Sequence, residues 1–193
     1  MYKNRKTFKP EAGSNLEKVF NFINNLDNKP TIYSNLGKKT KGVDTQANGT
    51  SFGFYSTLND YITIHQSLFK EKFPKDHEAC TILHELGHWT GAVTRLNRTV
   101  FSKCKKYKYA LDKNMGNTIA EVLSENEEVI ADLFMLKMTQ VLGLSQQEAL
   151  SSVEEALKGY SNADLPMCVI EADRAVAYIL SKVKTGIDIA QTA

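Results

Sequence analysis

Two histidines and a glutamate at close spacing are the residues of this sequence best suited to chemistry. They lie in the segment HELGHWTG, which runs from His84 to Gly91. On a helix, His84 and His88 project from the same face one turn apart, so both imidazoles can bind a single ion at about 2.0–2.1 Å. Glu85 is offset by about 100°, which puts its carboxylate beside the ion, where a general base can deprotonate water. The pattern H-E-x-x-H therefore predicts a catalytic zinc site with Glu85 as its base.

A pattern with three fixed positions also arises by chance, so the prediction requires a third ligand. A catalytic Zn²⁺ usually has three protein ligands and leaves its fourth position to water. The two other histidines are poor candidates. His77 precedes His84 by two helical turns, which favours a capping or surface role. His65 ends the polar face of a candidate strand, which favours exposure to solvent.

An acidic helix offers a better third ligand. Glu121, Glu125, Glu128 and Asp132 recur at intervals of four, three and four, and they form one stripe along a helix. Most such stripes are solvated faces, but the residues around Glu128 are apolar: Val129, Ile130, Ala131, Leu133 and Phe134. A buried carboxylate needs a cation or a hydrogen-bonding partner. We therefore predict Glu128 as the third ligand and Asp132 as the acceptor of the free ring N–H of a ligating histidine.

Helical periodicity predicts the elements that carry these residues. The apolar spacing from Ala79 to Leu86 predicts a helix with Asp76 as its N-cap and Gly91 at its end. A short first helix should begin at Ser14, with Glu17 as its capping-box partner. Three further helices are predicted over residues 117–142, 145–159 and 165–183.

Strand content is small and concentrated before the histidine helix. SFGFYS and YITIH, joined by the turn TLND, are candidate strands, and the alternation in Tyr61–His65 predicts a half-buried strand. The polar stretch from Gly37 to Gly53 and the lysine-rich stretch from Arg95 to Gly116 should be connections. These elements predict an α+β fold, with a small antiparallel or mixed sheet, an active-site helix and a helix-rich C-terminal half.

Composition indicates one domain in the cytoplasm. The chain has 193 residues, with 24 lysines and arginines against 22 aspartates and glutamates, so its overall charge does not indicate a nucleic-acid coat or a polybasic membrane binder. Three cysteines without paired short spacing indicate reduced thiols. The N-terminus has no secretory pattern, and the longest apolar run is too short to span a bilayer. We expect no membrane partner.

Four segments resemble the zincin-like metallopeptidase domain of ArdC-type antirestriction proteins, which plasmids and phages carry. They are YSTLNDYITI, TILHELGHWTG, RLNR and EEVIADLF, and they extend over about Tyr55–Phe134. The more distant ImmA/IrrE peptidases share the spacing E-x-x-A-x-x-F of the last segment. The resemblance implies a zincin-like fold, Zn²⁺ held by His84, His88 and Glu128, Glu85 as general base, and a bacterial host cell. Glu127 and Glu125 remain the alternatives to Glu128.

The sequence departs from that family in two places. Longer members carry an N-terminal domain that binds single-stranded DNA, whereas residues 1–50 are expected to form only a leader helix and a loop in a single domain spanning 1–193. The second departure is the connection from RLNR to the glutamate helix, which is longer than in the family; it holds KCKKYKY, Lys103–Tyr109, and is expected to be an inserted loop. Such a loop is usually a solvated surface, but it could bind nucleic acid. It could also border the substrate cleft, with Tyr107 or Tyr109 as oxyanion donor.

Aromatic and arginine residues near the motif are expected to be structural. Trp89 should belong to the core, and Tyr55 and Asp60 should shape the strand turn. Arg95 and Arg98 should pair with acidic residues near the end of the helix.

The sequence as a whole predicts a zinc metallopeptidase that hydrolyses a specific protein target, in antirestriction or evasion of host defence. Substrate should lie along an edge strand near Tyr61, Thr63 and His65, pairing by β-augmentation. The alternative is a non-catalytic protein that keeps zinc for stability and binds a host protein or DNA. A third possibility is a peptidase that cleaves a transcriptional repressor, as the ImmA-like spacing suggests.

Overall fold

Five helices and four short strands make up the part of the chain that a computed structural model describes, residues 5–6, 10, 12–35, 53–65, 76–98, 116–161 and 163–184. In chain order the helices are α1 (Asn15–Asn24), α2 (His77–Thr90), α3 (Gly116–Val141), α4 (Gln147–Gly159) and α5 (Leu165–Ser181). The strands are β1 (Arg5–Lys6), β2 (Thr31–Asn35), β3 (Gly53–Ser56) and β4 (Tyr61–His65). The predicted α+β class and the helix-rich second half are confirmed. Most of the two predicted connections lies outside the described residues.

Side chains at the helix starts tie α1 to α2. Ser14 caps α1 as predicted, since its hydroxyl accepts a hydrogen bond from the N–H of Glu17 at 3.1 Å. Asp76 occupies the N-cap position of α2 with a φ of 87°, but its side chain makes no capping hydrogen bond. Its carboxylate instead accepts a hydrogen bond from the side-chain amide of Asn15. The predicted cap thus lies at the right position and joins two helices.

The sheet is mixed, with the order β1-β2-β4-β3. β2 pairs parallel with β4, and β3 pairs antiparallel with β4. The sequence prediction missed β1, which has only two residues, and β2, which is as long as β4 but does not show its alternation. Their presence corrects the predicted substrate strand. β4, with Tyr61, Thr63 and His65, lies inside the sheet, where its backbone groups pair with both neighbours and cannot receive a substrate. The edge strand beside α2 is β3.

Helix α2 packs between the sheet and α3. Its apolar stripe, including Ile82, Leu83 and Leu86, is fully buried in the main core together with Ile62 of β4 and Phe134 of α3. A second cluster joins α3 to α5. Cys80 and Cys168 are buried and free of disulfides. Within the described residues, no helix is both long and apolar enough to cross a membrane.

A glycine sets the distance between α2 and α3. A Cβ atom added at Gly87 would lie 3.0 Å from the Cα of Ala131 and 3.2 Å from a ring carbon of Phe134. Because the nearest atom belongs to the backbone of α3, no side-chain rotation can relieve that contact. Gly87 therefore allows the two helices to approach more closely than an alanine would.

Replacing Gly87 with alanine should destabilise the protein by about 1–3 kcal/mol, the usual cost of overpacking a dense core. Urea unfolding measures the change. The matched control is Gly159→Ala at the end of α4, where an added Cβ meets no atom within 4 Å; that variant should be neutral or slightly more stable, since alanine is the better helix former. Equal stability of Gly87→Ala and Gly159→Ala would contradict the packing argument.

Candidate metal centre

His84 and His88 of α2 converge with Glu128 of α3. The two Nε2 atoms lie 3.0 Å apart, and the Glu128 Oε2 atom lies 3.3 Å from that of His84 and 3.6 Å from that of His88. A tetrahedral ion with bonds of about 2.0–2.1 Å requires ligand atoms about 3.3–3.4 Å apart. The three atoms therefore fit one divalent cation. Glu125, an alternative ligand in the sequence analysis, is not part of this group.

Each histidine has a carboxylate at its other ring nitrogen. Nδ1 of His84 lies 2.8 Å from Asp132, whose Oδ1 also accepts a hydrogen bond from Ser152 at 3.1 Å. Nδ1 of His88 lies 3.2 Å from Glu127. A proton on Nδ1 donated to these carboxylates leaves Nε2 with a lone pair for a cation. Asp132 thus lies where the sequence analysis expected it, whereas Glu127 faces the nitrogen of His88 turned away from Glu128.

Arg98 holds Glu127 in place. Its Nε donates to one carboxylate oxygen of Glu127 at 2.9 Å and its terminal nitrogen donates to the other. The same guanidinium donates to the carbonyl of Gly87 at 2.7 Å and to the hydroxyl of Thr90 at 2.8 Å. Arg98 and Glu127 are both 4% exposed. The predicted pairing of Arg98 with an acidic residue is therefore confirmed, and its partner is the carboxylate that orients His88.

Arg95 joins the strand turn to the end of α2. Its terminal nitrogens donate to Asp60 at 2.6 and 3.1 Å and to the Tyr55 hydroxyl at 2.7 Å. Its Cζ lies 4.0 Å from the centre of the Trp89 ring. The hydrogen bond from Arg95 holds the pKa of Asp60 below its usual value. Tyr55, Asp60 and Trp89 thus have the structural roles that the sequence predicted.

Glu85 lies against β3, beside the three candidate ligands. It is 6% exposed, and a Cβ atom at Gly53 would lie 2.8 Å from the Cγ of Glu85. The backbone of Tyr55 also hydrogen-bonds to the Glu85 carboxylate. Burial raises the pKa of Glu85, and the nearby charges of His88 and His84 offset that rise only in part. The H-E-x-x-H motif predicted Glu85, but no sequence pattern indicated Gly53, whose lack of a side chain allows this close approach.

The electrostatics of the group favour positive charge between the helices. Burial disfavours the protonated form of His84, but hydrogen bonds to Asp132 and Glu128 outweigh it and raise the pKa of His84 to about 9. The pKa of His88 is raised as well, since Glu128 and Glu127 outweigh its burial. Burial opposes ionisation of Glu128, yet the histidines hold the pKa of its carboxyl well below its usual value. Either protons or a cation can supply this positive charge.

A pocket of about 470 Å³ opens onto the site between α2, α3 and α4. His84, Glu85 and Glu128 line it on one side, and Tyr160, which follows α4, lines it as well. His77 pairs with Glu148 of α4 at 2.6 Å and stays outside the ligand group, as expected.

The predicted substrate residues are not brought to this pocket. Tyr61 and Thr63 do not line it, and the Tyr61 ring packs against Tyr33 and Phe54. The side chains of His65, Tyr107 and Tyr109 lie outside the described part of the chain. The oxyanion role of Tyr107 or Tyr109 remains a prediction, whereas pairing of substrate with β4 near His65 is excluded by β2 and β3.

Comparison with known proteins defines the class. A family profile described as zincin-like metallopeptidase matches residues 38–153, and the chain belongs to this family. The predicted family and zincin-like fold are thereby confirmed, and the family implies a divalent metal ion. No curated protein matches the chain.

Two similar solved structures are crystal structures of the antirestriction protein ArdC from plasmid R388. The Mn(II)-bound one has 17% sequence identity and a TM-score of 0.47, and the match covers 89% of this chain and 53% of that chain. The metal-free one has 19% identity and a TM-score of 0.49, with 92% and 53% covered. The chain thus spans about half the length of ArdC.

Removing the buried guanidinium should destabilise the protein strongly. Arg98→Met leaves the Glu127 carboxylate buried without its partner, and we expect a loss of about 3–5 kcal/mol in the free energy of unfolding. Adding Glu127→Gln should recover part of that loss, because no charge then remains unpaired. Arg174→Met, which removes an exposed ion pair with Glu171, should cost less than about 1 kcal/mol. Urea denaturation distinguishes these cases, and a double variant no more stable than Arg98→Met would count against the pairing.

Removing the carboxylate of Glu128 should weaken metal binding. We expect Glu128→Ala to raise the Zn²⁺ dissociation constant by more than about 100-fold, since loss of a hydrogen-bonding partner behind a ligand already costs about 10–100-fold. Competition with a chromophoric chelator measures the affinity. Glu125→Ala, on the same helix, should bind Zn²⁺ like the wild type. Equal affinities for the two variants would exclude Glu128 as a ligand.

Proposed function

We propose that this protein is a zinc-dependent peptidase. The observation that carries the proposal is the position of Glu85 beside a His₂Glu group that opens into a pocket. Two histidines and a glutamate are a ligand set of catalytic zinc peptidases, which leave the fourth position of the ion to water or substrate. A structural zinc site is usually closed by four protein ligands. Such a site does not need a general base, so it would not account for the buried carboxylate of Glu85 beside the ligands.

Each residue of the site has a separate role in the proposed hydrolysis. A Zn²⁺ ion held by His84, His88 and Glu128 would polarise the scissile carbonyl and lower the pKa of a water molecule. Glu85 accepts the proton of that water as its oxygen attacks the carbonyl carbon, and returns the proton to the amine nitrogen as the C–N bond breaks. A backbone hydrogen bond from Tyr55 holds the Glu85 carboxylate beside the candidate ligands, where both proton transfers take place.

The edge strand β3 is the place where we propose that substrate binds. β3 pairs with β4 on one side only within the described sheet, and Gly53 at its start lines the pocket. An extended peptide can add to such an edge through backbone hydrogen bonds. The scissile bond would then lie beside Glu85. This position replaces β4, which the sequence analysis had chosen.

The biological setting that we propose is antirestriction or evasion of host defence in the cytoplasm of a bacterial host. It is supported by the resemblance of HELGHWTG and RLNR to ArdC-type proteins. The substrate is then a specific host protein. The alternative, a zinc-stabilised protein that acts by binding, differs in one respect: it does not need the carboxylate of Glu85.

Replacing Glu85 with glutamine tests the two functions directly. The amide preserves the size of the side chain but cannot accept the proton, so zinc should remain bound while cleavage falls by at least about 100-fold, as expected for loss of a general base. Mass spectrometry of host-cell proteins, with and without expression of each variant, measures cleavage and identifies the target. An antirestriction assay of the same variant separates the alternatives, because full function without proteolysis would favour binding. The control is Glu125→Gln, which should match the wild type.

A further inference from the structure

Hydrolysis of a peptide bond requires a hydrogen-bond donor for the oxygen that becomes negatively charged. Among the described residues that line the pocket, four carry a hydroxyl or thiol: Cys80, Thr81, Ser152 and Tyr160. Two of these hydroxyls are already engaged. Thr81 donates to the carbonyl of His77 at 2.9 Å, and Ser152 donates to Asp132 at 3.1 Å.

Cys80 is a poor donor for this purpose. A thiol forms weak hydrogen bonds, the side chain is 4% exposed, and burial raises its pKa to about 12. His77 lies two helical turns from His84 and pairs with Glu148. By contrast, the hydroxyl of Tyr160 makes no hydrogen bond to any residue in the described part of the chain.

The backbone and ring of Tyr160 are well anchored. Its N–H donates to the carbonyl of Ala156 at 2.8 Å at the end of α4, and its carbonyl accepts from Ala163 at 3.3 Å. The ring packs against the buried cluster that contains Val129 and Ile130 of α3. These residues directly follow Glu128, so the same segment of α3 holds both the Tyr160 ring and the candidate ligand. A donor held in advance of the reaction is the arrangement that stabilises an oxyanion most effectively.

The charges around the phenol agree with this position. Burial raises the pKa of Tyr160, and the carboxylates of Glu128 and Asp132 raise it further. Tyr160 and Glu128 line the same pocket, and a phenol is ordinarily protonated near neutral pH, as a hydrogen-bond donor must be.

We propose that Tyr160 is a catalytic residue that donates a hydrogen bond from its hydroxyl to the substrate oxygen in the tetrahedral intermediate. The proposal rests on the proposed peptidase function. As water attacks, its oxygen bonds to the carbonyl carbon, its proton passes to Glu85, and the π electrons move onto the carbonyl oxygen. Tyr160 stabilises that oxygen without losing its own proton. When the carbonyl re-forms, the C–N bond breaks and Glu85 gives its proton to the amine.

Tyr160 lies beyond residues 38–153, the stretch that the zincin-like family profile matches. Tyr107 and Tyr109 were the predicted donors, because the inserted loop that holds them could border the substrate cleft. The tertiary structure instead brings a residue from the end of α4 to the pocket, seventy-five positions after Glu85.

The test compares Tyr160→Phe with Tyr178→Phe, a matched loss of a hydroxyl on α5, outside the pocket. With zinc-loaded protein and a target peptide or fluorescein-labelled casein, Tyr160→Phe should lower kcat by about 100-fold with little change in KM, as loss of one oxyanion donor does.

The second readout is the dissociation constant of acetohydroxamate, measured by calorimetry. Its oxygen accepts the same hydrogen bond, so Tyr160→Phe should weaken binding by about 10-fold. Zn²⁺ affinity and Tm should be unchanged, and Tyr178→Phe should behave as wild type in every assay.

The two readouts separate this proposal from the proposed function. If the wild type cleaves nothing, or if Glu85→Gln cleaves at the wild-type rate, the peptidase mechanism fails, and acetohydroxamate still decides whether Tyr160 is a donor in the pocket. If Tyr160→Phe binds acetohydroxamate as tightly as the wild type, Tyr160 is not the donor. A loss of binding in both tyrosine variants, or a fall in Tm or Zn²⁺ affinity with Tyr160→Phe, would indicate a structural role and overturn the proposal.

Discussion

The close contact of α2 with α3 at Gly87 is the constraint on which the whole site depends. Two candidate ligands lie on α2 and the third lies on α3, so the distance between the helices determines whether three atoms can reach one ion. Metal–ligand bonds tolerate deviations of only about 0.2 Å. A larger residue than glycine at position 87 would meet the backbone of Ala131. The packing of the core at Gly87 therefore also determines the geometry of the three ligands.

The excess of carboxylates over basic groups explains why the site favours a bound cation. Four carboxylates, Glu85, Glu127, Glu128 and Asp132, lie buried or half-buried around two imidazoles. Within the described residues, Arg98 is the guanidinium that neutralises one of them. The remaining negative charge is costly in a medium of low polarity unless protons or a metal ion offset it. A bound divalent cation would therefore stabilise the fold as well as supply chemistry, because binding to the folded state alone shifts unfolding by mass action.

The segment from Trp89 to Arg98 links the parts of the site. Arg95 reaches the β3–β4 turn, where it holds Asp60 and Tyr55, and Tyr55 belongs to the strand against which Glu85 packs. Arg98 reaches the opposite way, to Glu127 of α3. Asn97, with a φ of 48°, lies in the turn after α2, and its N–H donates to the carbonyl of Ala92 at 3.0 Å. Conspicuous residues of HELGHWTG and RLNR thus make structural contacts. Arg95 supports the strand that Glu85 packs against, and Arg98 supports α3, which carries Glu128.

Features that depend on spacing within one element could be predicted from the residues alone. Helical periodicity placed His84, His88 and Glu85 on α2, and Glu128 and Asp132 on α3, because residues three and four positions apart share a helix face. Three features follow instead from contacts between distant segments and required the folded structure: the parallel strand β2 that makes β4 interior, the approach of Gly53 to Glu85, and the position of Tyr160 in the pocket. Such contacts leave no periodic pattern in the chain, because they follow from how whole elements pack together.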